Sequence, residues 1–170
     1  MKLLFLKYNT FNRTLKELRL LVICTLSYTG FLRYDELSNI KVNNVTFHEQ
    51  YVDILIPKSK TDCYRSGKNV LIVKLNTPQC PVTILQCYIR EVKIELRTDK
   101  YIFRPLTYFN RNKNYMMRIS NIKLSYTRAR EIIREALSSI GIIMNNYGLH
   151  SLRSGVLLTK AACQTHRGPW

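Results

Sequence analysis

The sequence predicts one α+β domain, mainly helical, around a small antiparallel sheet that carries a basic β-hairpin. Three observations point there. The chain has 170 residues, the size of one ordinary domain and too short for two. Apolar residues recur at helical spacing in three separate stretches, and between Asn43 and Leu75 the pattern changes to short β-branched runs. Hydrophobic residues make up 46% of the chain with only 6 Gly and 5 Pro, which excludes disordered and fibrous classes and predicts a buried core.

Each element has its own signal. Thr14 followed three residues later by Glu17 is a capping-box pattern, and Leu15, Leu18, Val22 and Leu26 continue as an apolar stripe until Gly30 can close the helix. Val45-Thr46-Phe47, Tyr51 to Ile56 and Val70 to Val73 read as strands, and the polar span from Lys58 to Asn69 reads as the extended basic hairpin. Pro81 suits a first helical position, and Val82, Leu85, Ile89, Val92 and Leu96 extend a second helix to Leu96. Thr98 to Lys123, rich in Asn, Arg, Lys and Tyr without a clean period, reads as a basic loop with at most short local structure. Ser125 can cap a third helix with a stripe of Ala129, Ile132, Ile133, Ala136, Leu137 and Ile140, ended by Gly141, and a fourth begins near His150.

Charge narrows the partner. Lys and Arg number 27 against 11 acidic residues, a formal net charge of +16, which suits a polyanion. No run approaches the ~18 apolar residues of a spanning helix, and Met1 to Leu6 is too short for a signal peptide and lacks its small-residue cleavage site. Nucleic acid is therefore favoured over a membrane. The five cysteines, Cys24, Cys63, Cys80, Cys87 and Cys163, are odd in number and scattered, so buried thiols in a reducing compartment are expected, without disulfides. Cys80 and Cys87 are too far apart for a zinc knuckle and no paired histidines follow, so no metal is expected.

Two arginines stand where a globular fold has no need of them. Arg33 lies in Thr29-Gly30-Phe31-Leu32-Arg33-Tyr34-Asp35-Glu36-Leu37, and Arg153 in Gly148-Leu149-His150-Ser151-Leu152-Arg153-Ser154-Gly155. His150 and Arg153, three apart, share a helix face and can reach one ligand. Two arginine forks suit a phosphodiester and can stabilise added charge in a pentacoordinate transition state. Taken singly, each signal has a plainer reading: Arg33 with Glu36 as a surface ion pair, His150 as a capping or core histidine, Lys58 and Lys60 as solvated charges that block edge pairing.

In order along the chain, Gly-x-x-Arg-x-x-Glu-Leu, a hairpin lysine and His-x-x-Arg resemble the catalytic domain of tyrosine recombinases, the phage integrase family, over about residues 12 to 155. Pro57-Lys58-Ser59-Lys60-Thr61-Asp62, Cys80-Pro81, Leu124-Ser125-Tyr126-Thr127-Arg128 and Gly148 to Gly155 are most similar to recombinases of Crypton-type eukaryotic mobile elements. The resemblance implies the tyrosine-recombinase fold for residues 12 to 170, with 1 to 11 a remnant of what precedes that domain. Arg33 and Arg153 match the phosphate-clamping arginines, His150 the motif histidine and Glu36 the acidic support of the first arginine. Lys60, or next best Lys58, matches the lysine that protonates the departing 5′ oxygen, as suits a mobile general acid. Trp170 stands for the family's late His or Trp position, closer to Arg153 than is usual.

The implied reaction is strand cleavage by a tyrosine through a 3′-phosphotyrosyl link, then attack by another strand's 5′ hydroxyl, with neither metal nor nucleotide cofactor. Double-stranded DNA as partner, other protomers on it, and a nucleus if the source is eukaryotic or otherwise the cytoplasm, follow from the same likeness. The family's nucleophilic tyrosine falls beyond the position of Trp170, so the sequence as given is expected to hold no nucleophile and to be inactive alone. Tyr147 precedes the motif, and the 11 tyrosines read as packing and DNA-facing groups. The alternatives are a non-catalytic DNA-binding module derived from a mobile element, and a type IB topoisomerase relative. Phosphate contacts from the hairpin and from Thr98 to Lys123 are expected to dominate affinity, with little base discrimination.

Overall fold

In the computed structural model, which describes residues 1–57, 67–142 and Leu149, one helix lies at the centre. Helix α1 spans Lys2–Tyr8 and α2 spans Leu15–Thr29. From Leu18 to Ser27 every residue of α2 is buried. A helix buried on all sides needs apolar residues all round, and Leu20, Leu21, Val22, Ile23, Cys24 and Leu26 supply them. Its start is the expected capping box: Thr14 Oγ1 accepts from the Glu17 backbone at 3.3 Å, and Glu17 Oε2 accepts from the Thr14 backbone at 2.7 Å.

A short helix α3, Tyr34–Ser38, follows. Strands β1 (Val45–Phe47), β2 (Tyr51–Ile56) and β3 (Lys68–Val73) form one antiparallel sheet with β2 in the middle. Val52, Ile54 and Ile56 point into the core while Tyr51, Asp53 and Leu55 alternate outward, the period of a half-buried strand. The β2–β3 hairpin is the one the sequence predicts, its paired ends being Ile56 and Lys68.

Helix α4, Pro81–Glu91, is shorter than the apolar period implies. Lys93, at φ 51, ends it: Lys93 N–H reaches Arg90 O at 3.1 Å and Ile94 N–H reaches Ile89 O at 3.4 Å. This is a Schellman closure with lysine in the position that usually holds glycine. The buried Ile94 keeps the apolar period going after the helix has stopped. Helix α5, Tyr126–Ser138, matches expectation at both ends. Ser125 caps it, and Gly141 at φ 82 closes it with Ile142 N–H on Leu137 O at 2.9 Å.

Three elements lie where sequence reading places none. Thr98 to Lys123 holds a second hairpin, β4 (Leu106–Phe109) and β5 (Asn114–Met117), joined by a 3-10 turn at Asn110–Asn112. Tyr108 and Tyr115 face each other across it with ring centroids 5.0 Å apart. Its strands are short and mostly solvent-facing, so no burial period marks them. Helix α1, within residues 1 to 11, buries Leu4 and Phe5 in the common core. It docks on the end of α5 through Lys7 Nζ to Ser139 O at 2.7 Å, a cation at a helix C-terminus. Helix α3, at five residues, is too short for a stripe. The fourth helix expected near His150 lies outside the described residues.

Around α2 pack α4, α1, α3 and β5. Leu21, fully buried, should cost about 2–5 kcal/mol when cut to alanine. Leu71, 63% exposed on β3, should change stability by no more than about 0.5 kcal/mol on the same substitution. Urea unfolding of both variants checks the contrast.

Burial also sets the alkaline limit. It pushes the Cys24 thiol up to about 12 and raises the Tyr34 and Tyr88 hydroxyls. An unfolded thiol releases its proton near pH ~8.5, so above that the unfolded chain binds fewer protons than the folded one. The stability from the protonated thiol is full below that pH and falls as pH rises towards 12. The thermal midpoint should therefore decline above pH ~9, and less steeply for Cys24→Ala.

Candidate functional site

Helix α2 ends in the turn that presents Arg33. Gly30 N–H caps Leu26 O at 2.9 Å. A Cβ on Gly30 would sit 3.0 Å from that carbonyl oxygen, 3.2 Å from Leu32 and 3.4 Å from Ile72, so the turn is pressed against the helix end and β3. Phe31 takes the left-handed conformation at φ 50 and is 65% exposed, while Leu32 turns into the core. An aromatic residue at positive φ is disfavoured by about 1–2 kcal/mol, and the packing of Leu32 holds it there. Arg33 then becomes the N-cap of α3. Its backbone N–H donates to Glu36 Oε2 at 2.7 Å, and its carbonyl accepts from Leu37 N–H at 2.9 Å. Glu36 supports the arginine by fixing its backbone.

A cavity of about 630 Å³ opens beside this turn, mostly apolar, with Phe31, Arg33, Tyr34, Lys123, Tyr126 and Leu149 among its walls. Tyr34 O–H donates to Leu124 O at 2.6 Å and its ring meets Tyr126 edge-on at 5.6 Å. Burial raises the Tyr34 hydroxyl and keeps it a donor. Lys123 Nζ donates to Asn39 Oδ1 at 3.0 Å and stands 3.9 Å from Asp35. The cavity is thus mostly apolar, with Arg33 and Lys123 as its cations and Asp35 as its one carboxylate among the described residues, chemistry that suits an anion with a non-polar flank held chiefly by Arg33.

Of the residues singled out in the sequence, Arg33 and Glu36 lie together here. Lys58, Lys60, His150, Arg153 and Trp170 lie outside the described residues. Leu149, immediately before His150, is buried and lines the same cavity as Arg33. Residues 58 to 66 connect β2 and β3, and Ile72 of β3 packs against the Arg33 turn. Sequence reading missed Lys123, Tyr34 and Tyr126 as parts of this site. Ser125 was visible as a cap, which places Lys123 and Tyr126 at a helix start, but nothing in the sequence brings that start to Arg33. Among the described residues no cluster of His, Cys, Asp and Glu could hold a metal ion, and no helix is long and apolar enough to cross a membrane.

Arg33→Ala removes a half-buried side chain without emptying the core, so the unfolding free energy should stay within about 0.5 kcal/mol of wild type. Tyr34→Phe deletes the hydrogen bond to Leu124 O and should cost about 1 kcal/mol. Chemical denaturation of the two single variants tests both statements.

No family model matches the chain. Along 166 residues it is 28% identical to an integrase/recombinase xerD homolog of Selenomonas ruminantium, covering 95% of this chain and 45% of that protein. Its fold matches the XerH site-specific recombinase bound to difH substrate in a pre-cleavage complex. There the TM-score is 0.56 at 18% identity, over 92% of this chain and 41% of that one. The post-cleavage complex of XerH with a palindromic difH substrate gives a TM-score of 0.57 at 17% identity, over 97% of this chain and 41% of that one. The chain spans less than half the length of the relatives it matches. Sequence likeness to that integrase/recombinase runs along nearly the whole chain, and the α+β fold is the one that the XerH recombinase structures share.

Proposed function

We propose that this chain binds double-stranded DNA and forms the phosphate-handling part of a domain that cuts and rejoins DNA strands in site-specific recombination or integration. The observation that carries the reading is the shared cavity: Arg33 and Leu149, which leads directly into His150 and Arg153, line one space. Arg33 and Arg153 hold the non-bridging oxygens of one phosphodiester, and His150 adds a further donor. A tyrosine oxygen attacks the phosphorus and the P–O bond to the 5′ oxygen breaks. That oxygen leaves with a proton from Lys60, for which Lys58 is the neighbouring alternative. Attack by a 5′ hydroxyl reverses the step and releases the tyrosine, so the bond energy is kept in the phosphotyrosyl link and neither metal nor cofactor enters. None of the 11 tyrosines, all of which precede His150, is assigned as nucleophile; Trp170 is assigned to the family's late His or Trp position.

The likeness of Pro57 to Asp62 and Gly148 to Gly155 to Crypton-type sequences supports a mobile-element origin. On that reading the protein works in a eukaryotic nucleus, with further protomers on the same DNA. The titration that tests the DNA reading is simple. The association constant for a duplex, followed by fluorescence anisotropy, should fall linearly with salt on a log-log plot, and Arg33→Ala should make the slope shallower by about one phosphate's share, ~0.9. Affinity indifferent to salt would remove the electrostatic basis of the reading. On a nicked, labelled duplex, protein-linked label would make one of the 11 tyrosines the nucleophile and overturn the reading that none of them is.

A further inference from the structure

A second cleft, of about 280 Å³, lies between the start of α2, the β4–β5 hairpin and the start of α5. Four cationic side chains line it: Lys16 and Arg19 from α2, Arg118 just after β5, and Arg128 from α5. Arg19 is 97% buried, being 3% exposed. Its Nη1 donates to Arg104 O at 2.9 Å, and its Nε has no partner among the described residues. Arg104, also buried, gives Nη1 to the carbonyls of Arg118 and Ile119 at 3.0 and 3.2 Å and likewise leaves Nε bare.

The carboxylates near the cleft are spoken for. Lys16 pairs with Glu135 and Arg128 with Glu131, each at the exposed rim. Among the described residues neither Arg19 nor Arg104 has a carboxylate within ion-pair distance. Two guanidinium groups are therefore taken out of water with carbonyls as partners and no counter-charge, which is costly unless an anion completes the site. The first turn of α2 adds the positive end of its dipole. Burial lowers the Arg19 proton affinity from the usual arginine range, with Tyr88 opposing and Arg128 adding to the shift.

We propose that this cleft is a phosphate-binding subsite, separate from the Arg33 cavity, which takes one backbone phosphate of the bound duplex. The assignment rests on the DNA reading above for the source of the phosphate and on the cleft itself for the chemistry. Leu124 lines both cavities, so the subsite adjoins the candidate reacting centre and would fix how the duplex lies across it. Arg118, exposed at the mouth with its Nε on Thr107 at 3.1 Å, can swing to the phosphate, while Arg19 is the fixed donor behind it.

The test uses the full chain and Arg118→Gln, an exposed change that leaves the core untouched, with Lys74→Gln, exposed just after β3, as control. In the first arm the thermal midpoint is followed in inorganic phosphate against chloride at equal ionic strength. Wild type and the control should rise with phosphate, and Arg118→Gln should rise less or not at all. In the second arm duplex affinity is titrated with salt; Arg118→Gln should bind several-fold more weakly with a slope shallower by about one phosphate. A variant that matches wild type in both arms overturns the subsite while leaving DNA binding intact. A wild type that ignores the duplex but gains a midpoint shift lost in Arg118→Gln keeps the phosphate site and overturns the DNA reading. A shift that survives in Arg118→Gln places the phosphate elsewhere and overturns the subsite.

Discussion

The structure depends on the complete burial of α2. Ten consecutive residues, Leu18 to Ser27, are withdrawn from water, so several other elements must each supply a wall for part of that helix. Helix α4 lies along it, α1 and β5 close its sides, and α3 is reached directly from its end. Such a helix cannot tilt or slide without emptying contacts on several faces at once. Its two ends are therefore firmly located, and an arginine stands near each, Arg19 within the first turns and Arg33 just past the last.

That coincidence orders the electrostatics. At the C-terminal end the chain leaves through Gly30 and the left-handed Phe31, and Arg33 emerges with its backbone held by Glu36. At the N-terminal end Arg19 stays inside, held by one carbonyl and facing three other cations. Four ion pairs among the described residues, Lys16–Glu135, Lys41–Asp99, Lys123–Asp35 and Arg128–Glu131, use carboxylates that are all exposed. Exposed pairs of this kind add little stability. Three of them hold a carboxylate beside a cation that lines one of the two cavities, and leave Arg33, Arg19 and Arg118 as the arginines there with no ion pair among the described residues.

How much of this was legible in the sequence follows from how local each signal is. The capping box at Thr14, the strands of the first sheet and the Ser125 to Gly141 helix are encoded within a few residues, and the structure has them where the pattern puts them. The end of α4 was not legible, because Lys93 adopts a conformation for which glycine is the usual sign, and the apolar period runs past it through Ile94. The β4–β5 hairpin was hidden for a different reason. Tyr108, Phe109 and Met116 face solvent, and without a buried face alternation has nothing to report. At the site, Arg33 and Glu36 could be read because three residues separate them. Tyr34, Lys123 and Tyr126 could not, since the Tyr34 hydrogen bond to Leu124 spans 90 positions.

The same distinction explains why Arg19 escapes notice. In sequence it is one polar residue in the first turns of an amphipathic-looking helix, where a solvated arginine is the ordinary outcome. Only when the β4–β5 hairpin folds over that end of α2, bringing Pro105, Leu106 and Tyr115 to it, does the side chain lose its water. A hairpin with a mostly exposed surface gains little from burial of its own, yet it converts a surface cation into a buried one. The cost falls on the unliganded domain and is relieved by any anion that enters the cleft. Folding energy is thereby held as binding preorganisation: the guanidinium is already desolvated and fixed before a phosphate arrives, and its ordering is not charged against the association step.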